Sequence, residues 1–312
     1  MPMPAPLMYD DEIAALPAFR TLAYLDGAPD DPRIALAVGA MFDAFVARFR
    51  DDLGLISMRL VGRSGKPSKV TPKALKDLRE WISAPDQLDS GAGVRLGSLN
   101  TDELPPAMPW FRLEQRYDDQ TLVEISVAPD APDVLSFADE IAGALATAPM
   151  ICAAQGFGFF LPTAYDSLNW LLPRLAERYK TALLHTLDMP SCGLRRAHST
   201  MPYTDDMKPG IADIGWRTFV GPEYLDRLPS PFDLPYDVRV EAGEAMLILT
   251  AGDAPMWGDV QKAENIDSYR AIAAALAPVR YPYAIALNQN FGGDTAAPDQ
   301  ADLIKAHFHR LD

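Results

Sequence analysis

The stretch Glu244–Arg280 constrains the fold most, because it carries three different backbone signals in succession. Ala245–Thr250 is a short apolar run typical of a buried strand. Gly252–Pro255 breaks this run, since proline cannot donate to a β-ladder and glycine and aspartate favour turns. A helical period follows, with an apolar face formed by Tyr269, Ile272, Ala273 and Leu276. The stretch therefore predicts a strand, a tight turn and a helix that packs against a sheet.

The sequence also predicts where this helix begins and ends and which strand pairs with Ala245–Thr250. Asp267 or Ser268 is expected to cap the helix, because short polar side chains bind free amides at a helix start. Pro278 is expected to end it. Before the strand, Val238–Glu241 has the length and pattern of a partner strand, so we expect a hairpin across the intervening glycine.

The rest of the chain repeats these signals and predicts an α+β fold, with antiparallel sheets covered by helices. The expected helices are Ile34–Leu53, one starting at Thr71-Pro72, Ser136–Pro149, Asp166–Leu187 and Asp302–Leu311. The expected strands are Leu55–Val61, Val94–Leu99, Phe111–Tyr117, Thr121–Val127, Phe157–Leu161, Ile211–Val220 and Tyr281–Leu287. Ile13–Tyr24 fits a helix or a strand. The order of elements suggests two similar halves, residues 1–160 and 161–312, which could also form one compact unit.

The segment Ile211–Arg280 contains two ordered motifs. One is G-x-x-P-x-x-G-D-V followed by a Y-R helix and L-x-P-V-R. It is carried by Gly252, Pro255, Gly258, Asp259, Val260, Tyr269, Arg270, Leu276, Pro278, Val279 and Arg280. An upstream motif, G-W-x-T-F-L-G, is matched by Gly215, Trp216, Thr218, Phe219 and Gly221, with Val220 in place of leucine. In these motifs the segment resembles the type VI immunity family, the TsiV-like proteins described as immunity proteins for VRR-Nuc toxins.

The resemblance implies a protein that binds and neutralises a cognate type VI secretion effector, a VRR-Nuc-like DNase, by stoichiometric occlusion of its basic active site. It implies binding without turnover, so the chain is not expected to be an enzyme. Two alternatives stay open. The toxin could be of another class, or the chain could be an enzyme with a small-molecule pocket near Trp257.

The net charge of −15 agrees with this interpretation. Such a field repels nucleic-acid phosphate and attracts basic proteins, so a basic toxin is the expected partner and nucleic acid is not. The segment Asp205–Asp267 has 13 acidic and 5 basic residues, a net of −8. Loop position and charge select these partner-binding candidates: Asp205, Asp206, Asp213, Glu223, Asp226, Asp233, Asp253, Trp257 and Asp259.

Several of these residues also have structural interpretations. Asp259 could accept hydrogen bonds from loop amides, or pair with Arg270 or Arg280, and so hold the loop in shape. Trp216 and Tyr269 are expected in the core, because large aromatic residues in apolar patterns are mostly buried. For Trp257, a binding anchor and a core residue are equally expected.

The residues that support catalysis or metal binding are few. The four histidines are His185, His198, His307 and His309. With Cys192 they form no recognised zinc spacing, and no nucleophile or dinucleotide motif occurs. We therefore expect no cofactor and no metal. Cys152 and Cys192 are expected as reduced thiols.

The location of the protein is predicted from its segments. The N-terminus has no basic segment followed by an apolar region, so no signal peptide is expected. No apolar run approaches about 20 residues, so no membrane span is expected. Together these features favour a cytoplasmic protein.

Overall fold

The computed structural model describes most of the chain. The described residues are 3–9, 11–59, 66–83, 93–98, 107–116, 120–160, 177–183, 210–211, 213–229, 234–243, 246–280, 306–307 and 309–312. Several sequence predictions lie outside these ranges. They concern Cys192, His185, His198, the strand Tyr281–Leu287 and the three acidic candidates Asp205, Asp206 and Asp233.

The structure has the predicted α+β fold. The helices are α1 (Pro32–Phe49), α2 (Pro72–Ser83), α3 (Val134–Leu145), α4 (Pro222–Leu225) and α5 (Asp267–Ala275). The strands are β1 (Leu7–Tyr9), β2 (Glu12–Asp26), β3 (Leu55–Arg59), β4 (Ser68–Lys69), β5 (Gly93–Ser98), β6 (Ala107–Arg116), β7 (Gln120–Val127), β8 (Met150–Phe160), β9 (Arg217–Val220), β10 (Val238–Ala242) and β11 (Leu247–Ala251). All strand pairs with a described register are antiparallel.

The chain divides into two compact units. Phe19–Ala153 forms one, here called the central unit, and Met1–Ala18 joins Ala154–Asp312 in the other, here called the terminal unit. The first 18 residues therefore belong with the C-terminal part of the chain. The predicted halves, residues 1–160 and 161–312, and their similarity stay predictions.

The central unit is a sheet with helices on one face. Its strand order is β2, β7, β6, β5, β3 and β4. The helix α1 begins after Asp31, whose side chain accepts a hydrogen bond from the amide of Arg33. Its apolar side chains pack against the sheet: the ring centroids of Phe42 and of Phe111 on β6 lie 5.8 Å apart. This helical stripe buries the sheet face that carries Phe111.

The opposite face of the same sheet contains buried charges. On β2 the guanidinium of Arg20 lies 2.5 Å from a carboxylate oxygen of Glu124 on β7, and its Nε donates to the hydroxyl of Ser126 at 3.3 Å. Both charged side chains are almost inaccessible to water. The hydrogen bonds of Arg20 to Glu124 and Ser126 offset the free-energy cost of burying these charges, which would be high for an unpaired charge.

The terminal unit contains the strand order β10, β11, β9 and the later part of β8. The predicted hairpin is confirmed as β10–β11, with Val240 opposite Leu249. The helix α5 buries the predicted face of Tyr269, Ile272, Ala273 and Leu276. Its predicted cap is wrong, because the N-cap is Ile266. The amide of Asp267 donates to the side-chain oxygen of Asn265, the residue before Ile266, at 2.8 Å.

Of the two structures that Ile13–Tyr24 fits, the strand is observed, within a strand of 15 residues, Glu12–Asp26. From Ala14 to Leu25 it is buried on both faces nearly throughout, so no alternation of apolar and polar residues marks it. One further prediction needs correction. The predicted helix Asp166–Leu187 lies mostly outside the described ranges. Its part Tyr179–Leu183 is not helical, because it pairs with other segments instead: Tyr179 bridges Asp259 and Leu183 bridges Gly158.

Candidate functional site

The signature loop, Gly252–Ile266, connects β11 to α5 and carries five of the motif residues: Gly252, Pro255, Gly258, Asp259 and Val260. Gly252 has φ +67°, and a Cβ there would meet nothing within 4 Å. Gly258 has φ +62°, and a Cβ there would lie 2.8 Å from the amide nitrogen of Thr181. The first glycine therefore supplies the turn alone. The second supplies a turn and a close backbone approach.

The loop is tied to the segment Tyr179–Thr181 by backbone bonds. The amide of Lys180 donates to the carbonyl of Gly258 at 3.0 Å, and the amide of Thr181 donates to the carbonyl of Trp257 at 3.3 Å. The hydroxyl of Thr181 donates to the carbonyl of Met256 at 2.6 Å. Through these bonds the part of the loop from Met256 to Gly258 is fixed against the segment Tyr179–Thr181.

Trp257 is the centre of an aromatic cluster inside the terminal unit. Its ring stacks on Phe157 with centroids 4.8 Å apart and an interplanar angle of 13°. Phe159 and Tyr179 lie at centroid distances of 5.3 Å and 6.0 Å. The side chain is 2% exposed, so Trp257 is a core residue in this structure. Of the two interpretations of Trp257 that were equally expected, the structure supports the core residue, and the side chain is not exposed as a partner-binding candidate would be.

Asp259 follows in the loop and is also buried, at 1% exposure. Its carboxylate accepts from the Gln261 amide at 3.0 Å and from Arg178 at 3.3 Å and 3.4 Å. Lys262 lies 3.4 Å away. Burial alone would raise the pKa of Asp259, but the bonds from Arg178 and the Gln261 amide outweigh burial and lower it. The carboxylate is therefore ionised and internally paired at neutral pH.

The predicted structural role of Asp259 is confirmed for the loop amides and corrected for the cation. Arg270 lies 3.8 Å from Asp267 instead, and Arg280 hydrogen-bonds Asp312. The arginine that Asp259 binds, Arg178, comes from a distant part of the chain, so sequence spacing gave no signal for it.

The other motif residues complete the packing around the loop. The indole nitrogen of Trp216 donates to the carbonyl of Gly252 at 3.3 Å, and Arg217 lies 4.3 Å from the Trp216 ring centroid. The hydroxyl of Tyr269 accepts from the amide of Met256 at 3.4 Å. Burial raises the pKa of Tyr269 strongly, so it stays a neutral phenol. Trp216 and Tyr269 are thus core residues, as predicted.

A third candidate besides Trp257 and Asp259 is buried. Asp213 forms an ion pair with Arg310, and both side chains are nearly inaccessible. Arg310 also donates to the carbonyl oxygens of Lys180, His307 and Ala182. Asp213 is therefore not an exposed partner-binding residue, because its carboxylate is buried and paired with Arg310.

Three candidates do lie on the surface within the described residues. They are Glu223, Asp226 and Asp253. Glu223 belongs to α4, Asp226 follows that helix, and Asp253 lies in the signature loop. Sequence reasoning missed Tyr236, which is fully exposed beside β10. An aromatic residue between Pro235 and Asp237, just before a strand, was the available signal.

The described residues hold no group of three His, Cys, Asp or Glu side chains arranged to bind a metal ion. Cys152 is buried on β8. Across the same ranges, every helix is too short or too polar to cross a bilayer.

A comparison with solved structures finds a similar fold in a protein described as Pseudomonas aeruginosa T6SS protein PA0821. The TM-score is 0.70 at 17% identity, and the match covers 98% of this chain and 87% of that chain. At this identity the likeness shows the fold. No protein-family model matches the chain, and no curated protein matches it significantly. The resemblance to the TsiV-like family therefore stays a prediction.

Proposed function

We propose that this chain is an immunity protein of a type VI secretion system. It binds a cognate effector, a basic nuclease of the VRR-Nuc type, and blocks it by stoichiometric occlusion of the active site. The protein acts by binding and has no turnover of its own.

The observation that carries the proposal is the agreement of two different similarities. The motifs between Gly215 and Arg280 resemble a type VI immunity family. Independently, the fold over 98% of the chain is similar to that of a protein described as belonging to a type VI secretion system. Backbone geometry and sequence motif therefore point toward the same biological system.

The charge of the chain supports a basic target. A nuclease must present positive charge to phosphate, and a protein with a net charge of −15 is attracted to such a surface. The exposed acids Glu223, Asp226 and Asp253 are the described candidates for this contact. Binding of these acids to the active site of the toxin would exclude DNA by electrostatic repulsion and by steric overlap.

Four carboxyl groups of the described residues are held as anions beside arginine. Among the described residues, every carboxyl group with a resolved shift has a lowered pKa, and each hydrogen-bonds an arginine. These groups are Asp31, Glu140, Asp259 and Asp312. Such groups are stable anions with a structural task.

Co-expression with the protein encoded beside this chain's gene tests the proposal. Growth of a bacterial host that makes this neighbour should be arrested, and the chain should restore it. In vitro, titration of the chain into a DNA-cleavage reaction should abolish cleavage at a fixed molar ratio that does not change with time. Restored growth without any DNA cleavage by the neighbour would keep the immunity role and reject the nuclease target. Unrestored growth, or turnover of a metabolite by the chain alone, would reject the proposal.

A further inference from the structure

The strand β10 forms an open edge. Among the strands that the structure describes, β10 has β11 on one side and no neighbour on the other. Its register with β11 is regular from Val238 to Ala242 and contains no bulge. An edge of this kind is a template for another strand unless the fold protects it.

The hydrogen-bond pattern shows which groups point outward. The amide of Gly252 donates to the carbonyl of Asp237, and the amide of Gly243 donates to the carbonyl of Met246. In an antiparallel pair, hydrogen-bonded and non-hydrogen-bonded positions alternate. Asp237, Arg239, Glu241 and Gly243 therefore bond β11. The backbone groups of Val240 and Ala242 face away from β11, toward the open side.

Side-chain exposure gives a second, independent sign of a binding surface. From Arg239 to Ala242 all side chains on both faces of β10 are exposed. Val240 is 44% exposed, and Tyr236, two residues before the strand, is fully exposed. Tyrosine is one of the residue types enriched among the anchors of protein interfaces, so Tyr236 is the side chain here that fits such a role.

We propose that β10 binds an extended, positively charged segment of the toxin, which adds to the sheet as a further antiparallel or parallel strand. Backbone groups of Val240 and Ala242 provide the pairing, and Tyr236 packs against the side chains of the added segment. This inference rests on the proposed function, since it names the surface by which the chain would bind its target.

Charge argues for a basic segment and against a second copy of this chain. Glu241 is exposed on β10 itself, and Asp253 follows the residue that pairs with Asp237, so it lies at the same end of the hairpin as Tyr236. From Glu223 to Asp253 the described residues include five acids and two bases, a net of −3. Two copies, each with a net charge of −15, would repel each other at this edge, whereas lysine and arginine would be attracted.

A matched pair of variants separates backbone pairing from side-chain packing. Val240→Pro removes an outward amide and leaves the bonds to β11 intact, because proline is tolerated in edge strands where its nitrogen faces outward. Val240→Ala shortens the same side chain and keeps the amide. We expect Val240→Pro to weaken binding of the neighbouring gene's product at least about tenfold. Val240→Ala should stay within about threefold of the wild type.

Amide hydrogen exchange on the unmodified protein gives a second test that does not depend on a variant's folding. In the free protein, the amides of Val240 and Ala242 should exchange quickly, and those of Arg239 and Glu241 slowly. In the complex, the first two should slow at least about tenfold, because they become hydrogen-bonded.

The outcomes distinguish this inference from the function on which it rests. If the wild type neither binds nor protects, both fall. If it binds and protects, but Val240→Pro behaves like Val240→Ala and the two amides stay fast, the function stands and the β10 edge is rejected. Slowing of these amides in the chain alone as its concentration rises would identify a second copy as the occupant and also overturn the inference.

Discussion

Asp259 shows how one residue of the signature loop combines burial with charge. The carboxylate bonds Arg178 and the Gln261 amide while its own amide donates to Glu264 at 3.1 Å. Asp259→Asn would keep the shape of the side chain but remove the negative charge to which Arg178 and the Gln261 amide donate. We expect a loss of about 1–3 kcal/mol in the free energy of unfolding, measured by chemical denaturation. Asp253→Asn, in the same loop but exposed, should change it by less than about 0.5 kcal/mol.

The lowered pKa of Asp259 also predicts how this difference changes with pH. Because the pKa in the folded state lies below the ordinary value of 3.8, the carboxylate stabilises the fold fully above that value. The stabilisation is lost as the pH falls through the lower, folded-state pKa. The gap between wild type and Asp259→Asn should therefore be constant near neutral pH and shrink in strong acid. A gap that widened toward acid would contradict the assigned direction.

The two glycines of the loop allow a comparison of backbone freedom with steric space. Both adopt positive φ, so alanine at either position costs about 1–2 kcal/mol for the left-handed conformation. At Gly258 the added methyl group would also press on the backbone and side chain of Thr181. We expect Gly258→Ala to destabilise the protein more than Gly252→Ala by about 1–3 kcal/mol, measured as the difference in free energy of unfolding. Equal effects would mean that the loop moves freely away from Thr181.

At this scale, sequence reasoning found the loop but included two of its buried residues, Trp257 and Asp259, among the partner-binding candidates. Gly252 was expected at a turn from the local pattern, whereas Gly258 and Asp259 were singled out by the motif that resembles the type VI immunity family. Trp257 was ambiguous, since it stands between Met256 and Gly258 in a polar loop. The rings that enclose it, Phe157, Phe159 and Tyr179, come from parts of the chain about 80 to 100 positions away, where local pattern carries no information.

Among the elements, the pairing of β2 and β7 contains a buried ion pair whose two halves depend on each other. Removing one partner leaves the other charge uncompensated in the sheet, whereas replacing both with apolar groups avoids that cost. We expect Glu124→Leu alone to lower the free energy of unfolding by about 3–5 kcal/mol, and addition of Arg20→Met to restore most of it. Denaturant unfolding of the single and double variants measures this.

The exposed pair Lys73–Asp77 on α2 provides the control for that cycle. Its nitrogen–oxygen distance is 2.8 Å, but the lysine side chain is 81% exposed. Because water screens such a pair, Asp77→Ala should cost no more than about 1 kcal/mol. For the buried pair, a double variant of Arg20→Met and Glu124→Leu that is no more stable than Glu124→Leu alone would show that the charges of Arg20 and Glu124 are not coupled.

Elements marked by a helical period or by a polar turn were predictable, and strands without such a mark were not. The helix α1 has apolar residues at helical spacing, and β6 and β7 flank a polar turn, so both were recognised although β7 is buried along its whole length. In β2, residues from Ala14 to Leu25 are almost all buried, so no alternation marks the strand. The same holds for β8, of which only the final part was predicted. Whether such a segment forms a strand depends on its burial by neighbouring elements, which the local sequence pattern does not reveal.

For the whole molecule, the proposed function depends on where the negative charge lies as well as on its amount. Reversal of Glu223, Asp226 and Asp253 to lysine changes the net charge by six, from −15 to −9. If these acids face a basic toxin, the triple variant should associate with the neighbouring gene's product at least about tenfold more slowly, as measured by surface plasmon resonance or stopped flow.

A control with the same net charge isolates position from total charge. Asp51, Asp52 and Asp130 are exposed acids in the central unit, and their reversal to lysine also gives −9. Raising salt from about 0.1 M to about 1 M shortens the screening length from about 10 Å to about 3 Å. It should therefore slow association of the wild type and the control variant while it changes the Glu223, Asp226 and Asp253 variant little. Equal effects of both reversals would mean that the overall field steers the encounter and that the contact surface lies elsewhere on the molecule.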